Sequence, residues 1–245
     1  MSAWLSQTAS PQDETTSAPI HLEGEVLVAD RRGALYWPDE AMLVVADLHL
    51  EKGSSFARFG NHLPPYDTAA TLYQLRDVIS TYQPKTVIAL GDSVHDRAAW
   101  DRLEDDNRAT LCDLCNSVAD WVWIAGNHDP EPPTGVPGRS AQEIAIGPLV
   151  FRHEPGGVLT ENQAEVAGHL HPAARVVGKG GSARRPAFAH DGKRLILPAF
   201  GAYAGGLCLS AKPFAPLFQK SSLRASVCGR TRVFTVPGNR ISGWR

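Results

Sequence analysis

The sequence predicts an α/β fold, and three observations carry that reading. Short runs of branched and aromatic apolar residues, Leu43-Val44-Val45-Ala46, Thr86-Val87-Ile88-Ala89-Leu90 and Trp121-Val122-Trp123-Ile124-Ala125, alternate with two stretches of helical periodicity. Runs of this kind suit strands covered on both faces in a parallel sheet, and strand, helix, strand, helix, strand is the βαβ pattern with right-handed crossovers. Each run stops at a polar cluster: Asp47-Leu48-His49, Gly91-Asp92 and Gly126-Asn127-His128-Asp129. The polar residues therefore share the carboxyl edge of the sheet, where open α/β sheets bind ligands.

Taken in order, residues 1–19 are rich in Ser, Thr, Gln and Pro without periodicity and read as a disordered tail. Residues 25–30 and 34–37 read as a strand pair turned at Arg31-Arg32-Gly33. The strand 43–49 is expected to stay extended to its end, so that Asp47 and His49, two apart, point to one side and reach one ion. After a loop over 51–65, a helix over 66–82 carries Leu72, Leu75, Val78 and Ile79 as an inward stripe and ends before Pro84. A second helix is expected over 100–118. Beyond Pro137 the pattern changes to short strands at 142–146, 149–152, 164–167, 173–177, 186–190, 195–197, 225–227 and 232–236. The Gly-rich stretches 178–185 and 202–206 read as loops. The main domain is expected over 20–219, with 220–245 a basic C-terminal extension or the last strands.

Composition narrows the function classes. No run of 18 apolar residues exists, which excludes a membrane-spanning helix, and the first twenty residues lack the basic start and apolar core of a secretory signal. A cytoplasmic location and no membrane partner are the expectations. Cys112 and Cys115 form a C-x-x-C pair without a second pair, in a helical segment, and read as buried rather than metal-binding. A net charge of −2 hides an asymmetry: from Arg175 onward there are thirteen Lys or Arg against Asp191 as the one acid. That third is a candidate polyanion-binding surface, the alternative being scattered charges on a solvated surface.

Two more imidazole clusters follow strands, His153 and Gly168-His169-Leu170-His171. Carboxylate oxygens with imidazole nitrogens suit Mn, Fe or Zn better than Ca or Mg, and about seven such donors exceed what one ion needs. The ordered series Asp47-x-His49, Gly91-Asp92, Gly126-Asn127-His128-Asp129, His153, Gly168-His169-x-His171 resembles the calcineurin-like metallophosphoesterase superfamily, whose five motifs occur in this order. The resemblance implies a four-layer α/β/β/α sandwich with two mixed sheets. It also implies two divalent ions, Mn first and Fe or Zn as the other candidates, with Asp47, His49 and His171 at one, Asn127, His153 and His169 at the other and Asp92 between them. Phosphodiester hydrolysis by a metal-activated hydroxide is the implied reaction. His128, which the family does not use as a ligand, is implied to face the substrate. Asp129 is suited to hold the His128 ring in one tautomer, or else to cap the turn before Pro130.

His95, in Gly91-Asp92-Ser93-Val94-His95-Asp96-Arg97, stands where nuclease members of the superfamily carry a His, whereas phosphoprotein phosphatases have Asp-Arg-Gly. It is expected to be a second substrate-side imidazole. A narrower resemblance, in 47–58, Leu63-Pro64-Pro65-Tyr66-Asp67-Thr68 and 197–207, is to the bacterial ligase-associated DNA-damage-response endonucleases. It implies a single-stranded or nicked DNA substrate and, as partners, an ATP-dependent DNA ligase and a helicase. Lys52, Arg58, Arg97 and Arg175 are candidate phosphate contacts, against the alternative of solvated cations. Phe56, Phe59 and Tyr66 could stack on a splayed base, although core packing suits two of them better; His62 reads as nonfunctional. The alternatives to a nuclease are a phosphatase or small-nucleotide phosphodiesterase, and a metal-bound scaffold that docks repair partners without cutting.

Overall fold

The computed structural model describes residues 16–58, 60, 64, 66–131, 133, 135–178 and 181–241. Two mixed sheets pack face to face in it. The first runs in chain order: β1 (Ser17–Leu22), β2 (Glu25–Asp30), β3 (Leu35–Trp37), β4 (Met42–Val45), β5 (Thr86–Leu90), β6 (Asp120–Ile124) and β7 (Arg139–Ala141). β1 to β4 pair antiparallel and β4 to β7 parallel. The β4–β5 connection carries α1 (Lys52–Arg58) and α2 (Asp67–Tyr82); the β5–β6 connection carries α3 (Ala99–Arg102) and α4 (Asp105–Asn116). With sequential strand order and right-handed crossovers, both long helices fall on one face. Leu72, Leu75 and Val78 of α2 and Leu111, Leu114 and Cys115 of α4 there cover Leu43, Val45, Val87 and Trp121.

Because side chains alternate along a strand, Val44, Ile88, Leu90, Val122 and Ile124 point the other way. They meet Leu149, Phe151, Val166, Phe188 and Leu195 of the second sheet. That sheet contains β8 (Glu143–Ile146), β9 (Leu149–Arg152), β10 (Ala164–Ala167), β11 (Pro172–Gly178), β12 (Gly181–His190), β13 (Arg194–Ile196), β14 (Leu207–Cys208), β15 (Arg224–Cys228) and β16 (Val233–Pro237). Their order is β14-β11-β12-β13-β10-β9-β8, with β15 and β16 branching from β12. Its outer face is closed by Phe214, Phe218, Leu223 and Ile241, on 3-10 turns at Lys212–Phe214 and Gly238–Arg240 and the loops between. Pro213 and Pro216 keep this outer layer from extending as an α-helix, so the helical layers are unequal.

Five expectations need correction. The loop expected over 51–65 carries α1 at Lys52–Arg58. The 43–49 strand ends at Val45, and the residues after it bend through left-handed backbone. The helix over 100–118 is broken where Leu103 turns extended, and α4 restarts on Asp105 and Asp106, acids that suit a helix N-terminus. Of the stretch 178–185 read as a loop, Gly178 ends β11 and 181–185 lie on β12, the two strands pairing antiparallel. β1 starts at Ser17, inside the stretch read as tail; β15 and β16, beyond 219, match the strands expected at 225–227 and 232–236. On β10, Glu165 is fully buried; Arg194 pairs with it, Arg152 Nε lies 3.5 Å away, and the amides of Gly156 and Gly157 donate to it. Among the described residues no helix is long and apolar enough to cross a membrane.

Candidate metal centre

The carboxyl ends of β4, β5, β6, β9 and β10 meet at one edge of the sandwich. The chain leaves these strands through tight turns: φ is 55° at Asp47, 44° at His49, 48° at Asp92, 69° at His169 and 45° at His171. Such backbone costs about 1 kcal/mol or more per non-glycine residue and persists where neighbours enforce it. Here the amide of Asp47 donates to Gly91 O at 3.2 Å, that of His49 to Asp92 O at 2.9 Å, and that of Gly201 to Asp47 O at 3.2 Å. The last bond brings the 197–207 stretch of the narrower resemblance onto the first turn. Gly91 is required twice over, by φ of 72° and by an ideal Cβ that would sit 2.5 Å from His153 Nδ1. A Cβ on Gly126 would lie 2.2 Å from the Asp92 nitrogen.

The seven expected donors come together as two groups. One ligand atom each of Asp47, His49 and His171 lie within 4.8 Å of one another, and so do those of Asp92, His153 and His169. His49 Nε2 is 3.2 Å from His171 Nε2, which is 3.2 Å from Asp47 Oδ1. His153 Nε2 lies 3.4 Å from Asp92 Oδ1 and 2.9 Å from Asn127 Oδ1, and His169 Nδ1 is 3.0 Å from the same amide oxygen. Backbone carbonyls set the ring tautomers. A carbonyl only accepts, so His153 Nδ1–H donates to Leu90 O at 2.8 Å and His171 Nδ1–H to Gly205 O at 3.2 Å. Their Nε2 atoms turn toward the cluster, as ligands must.

This donor set fits divalent ions. Asp47 and Asp92 are 0% and 2% exposed, and among the described residues imidazoles are their only ion-pair partners. A buried carboxylate needs a cation. Burial opposes ionisation of Asp92, but the bonds from His153 and the His128 amide hold its carboxyl below the usual range. Burial likewise disfavours a charged His153, yet Asp92 and Asp47 outweigh it and raise that imidazole to about 9. The carboxylates thus draw a positive charge into the site, which an ion can supply in place of a proton. Burial, and then His171, push His49 down to about 3, a neutral ring suited to ligation.

His128 stands beside this cluster, with Nδ1 2.6 Å from the His95 carbonyl and Nε2 3.9 Å from Asp92 Oδ2. His95 stacks on His128 at 5.5 Å and on Phe56 at 5.6 Å, and ligand atoms of His49, His95 and His128 also lie within 4.8 Å of one another. Asp129 does not orient the His128 ring; its Oδ2 accepts from the amides of Ser93 and Val94 at 2.7 and 3.3 Å, bracing the turn after β5. The sequence neighbours point apart because the His128 amide itself is tied to Asp92 Oδ1 at 2.9 Å. The carbonyl of His95 takes the role expected of Asp129. No spacing rule reveals a backbone oxygen.

Of the expected phosphate contacts, Lys52 is half-buried at the start of α1, its Nζ 5.9 Å from the Phe56 ring centre, and burial lowers its pKa. Arg58, Arg97 and Arg175 are exposed, the last on β11. Tyr66 is 70% exposed; Phe59 and His62 lie outside the described residues. No motif marks Glu51, whose buried carboxylate accepts from Thr68 Oγ1 at 2.9 Å and Ser54 Oγ at 2.6 Å, tying α1 to α2. Nor does any motif mark Arg102, whose Nη1 and Nη2 hold Asp96 at 2.9 and 2.7 Å, next in sequence to His95. Cys115 is buried in the helix-side core, and burial raises its thiol.

Residues 41–199 match the calcineurin-like phosphoesterase family. Among solved structures, the nuclease MPE of Pseudomonas putida is similar over 90% of this chain and 100% of its own, with 29% identity and a TM-score of 0.69. Yfce, a phosphoesterase from E. coli, aligns over 80% of this chain and 98% of its own at 13% identity, with a TM-score of 0.42. No curated protein matches the chain.

Proposed function

The chain belongs to the calcineurin-like phosphoesterase family, and from that premise we propose that it is a metal-dependent endonuclease acting on single-stranded or nicked DNA. The observation that carries this reading is the pairing of a carboxylate-imidazole cluster with two further imidazoles, His95 and His128, on its open side. The similarity to a protein described as a nuclease supports the choice of nucleic acid. Manganese is the first choice of metal, because mixed oxygen and imidazole donors suit it. A repair setting with an ATP-dependent ligase and a helicase rests on the narrower sequence resemblance.

In this reading Asp47, His49 and His171 would hold one ion and Asn127, His153 and His169 the other, with Asp92 placed to serve both groups. When bound, the ions supply Lewis-acid polarisation of the phosphodiester and of the attacking water. The remaining chemistry belongs to side chains. With Nδ1–H engaged by the His95 carbonyl, His128 presents Nε2 to the substrate, where it delivers a proton to the leaving oxygen or donates to the phosphoryl group. His95, backed by Phe56, limits the travel of the His128 ring. Lys52, at the start of α1 beside Phe56, is the candidate contact for a flanking phosphate, whose charge would favour its ammonium form.

The test pairs bis-p-nitrophenyl phosphate with labelled single-stranded and nicked DNA, using manganese-loaded protein and His128→Ala. Both substrates should be cut, and the variant should lose about 100-fold or more in turnover while its metal content stays unchanged. Turnover of the small diester with DNA left intact would move the substrate to nucleotides. Full activity of the variant on both would remove His128 from the chemistry.

A further inference from the structure

The register of the second sheet sets the β11–β12 hairpin apart from the rest of the basic surface. Ala167, where β10 ends, pairs with Ile196, and Ile196 pairs with Ala189 of the antiparallel β12. Residues of β12 before Ala189 therefore rise past the edge at which β10 delivers His169. β11 pairs with that raised part, Ala173 with Pro186 through Gly178 with Gly181, and begins at Pro172, directly after His171. The hairpin is thus an arm standing at the metal end of the sandwich.

Alternation tells which way its arginines face. Phe188 packs between the two sheets, whereas Ala187 and Ala189 belong to the outer cluster. Counting by twos from Phe188, Arg184 lies on the face that lower down meets the first sheet, and so does its directly opposite partner Arg175. Arg185 lies on the outer face, opposite Ala174, which belongs to the outer cluster. Arg175 and Arg184 are both exposed, and among the described residues neither has an ion-pair partner; Arg175 donates to Ser182 Oγ at 3.3 Å. Like charges directly opposite on a sheet repel, so this pairing is unfavourable until an anion lies across it.

We propose that Arg175 and Arg184, on the inward face of the β11–β12 arm, grip the phosphates of the nucleic acid strand whose scissile bond lies at the metal cluster. Arg175 lies four residue steps beyond His171, about 13 Å along the strand, or roughly four nucleotides of a stacked strand. The arm sets how much single strand the site requires on one side of the cut. This rests on the nucleic-acid reading above.

The experiment measures binding of a labelled single-stranded DNA by fluorescence anisotropy over a salt series, with the full chain carrying His128→Ala so that the strand is not cut. Loss of two phosphate contacts lowers the slope of log K against log salt by about 1.4. Adding Arg175→Gln/Arg184→Gln is expected to produce that change and to weaken binding tenfold or more near 0.1 M salt. Adding Arg185→Gln, on the outer face, should leave the slope near the parent's, as should Arg175→Lys/Arg184→Lys; circular-dichroism melting and metal content report that each variant is folded. An unchanged slope in the double Gln variant, or an equal loss from Arg185→Gln, overturns the arm while the nuclease reading stands. If the parent binds no strand although the wild-type chain hydrolyses bis-p-nitrophenyl phosphate, the nucleic-acid reading falls and takes the arm with it.

Discussion

Gly91→Ala tests whether the geometry of the cluster is held by the backbone or by the ions. The residue has φ of 72°, a conformation that costs an alanine about 1–2 kcal/mol. Its new Cβ would lie 2.5 Å from His153 Nδ1, 2.6 Å from Cγ and 2.8 Å from Cβ. Ordinary contact requires the ring to retreat by about 1 Å, which breaks the 2.8 Å bond to Leu90 O and costs about 1 kcal/mol more. The metal-free protein should lose about 2–3 kcal/mol and melt about 5–10 °C lower. A displaced His153 also weakens ion binding at the Asp92–His153–His169 group, by about 10–100-fold if it behaves like the loss of an orienting partner. Gly24→Ala is the control, since φ there is 85° with nothing within 4 Å of an ideal Cβ. It carries the backbone cost alone. Differential scanning calorimetry and manganese titration of both variants separate the two contributions. Equal destabilisation, with wild-type affinity for both ions in Gly91→Ala, would refute the claim that this glycine seats His153.

Stability should also depend on pH through His190, which burial, then Arg224 and His21, hold down to about 4. Its folded pKa lies below the ordinary 6.5, so its contribution is complete above 6.5 and lost as pH falls toward 4, about 3 kcal/mol in all. Urea midpoints of the wild type should fall across that window more than those of His190→Gln; Asp129, raised by burial to about 6, acts in the opposite sense and cancels in the comparison. Glu165→Gln leaves Arg194 and Arg152 facing a neutral group in the core and should cost about 3–5 kcal/mol by denaturant melt. Chelation should lower the melting temperature by leaving Asp47 and Asp92 with imidazoles alone to balance them, and manganese at 100 times its dissociation constant should restore about 2.7 kcal/mol.

What was legible in the chain follows its physics. β5 occupies 86–90 as its apolar run indicates, and α2 buries Leu72, Leu75, Val78 and Ile79 as their spacing requires, because each pattern reports burial directly. β1, β7 and β14 left no such mark. They are short or carry a proline, as Pro19 in β1, and exist by pairing with a neighbour already in place. The donor series was legible because strand ends collect polar side chains at one edge. Its local geometry was not: a spacing of two suggests an extended Asp47-Leu48-His49, but the two side chains reach the same group from left-handed turns that no residue preference announces. The β11–β12 arm was hidden in the same way, since Gly178 and Gly181 read as loop while cross-strand register makes them strand ends.

The left-handed turns explain why the two sheets matter to the site. Among the described residues nine non-glycine residues have positive φ, and five of them are expected donors, Asp47, His49, Asp92, His169 and His171. At about 1 kcal/mol or more each, these five offset a sum comparable to the low end of a domain's whole net stability. Packing elsewhere must supply it, and the nearest source is the layer between the sheets, where Phe151 lies fully buried two residues before His153. Phe151→Ala should cost about 3–5 kcal/mol. The edge carrying strained turns is the part least able to bear that loss, so amides of 46–49 and 168–171 should gain hydrogen exchange ahead of those of β5 and β6. If exchange rises equally throughout, the turns are not the weak point and the strain is held locally.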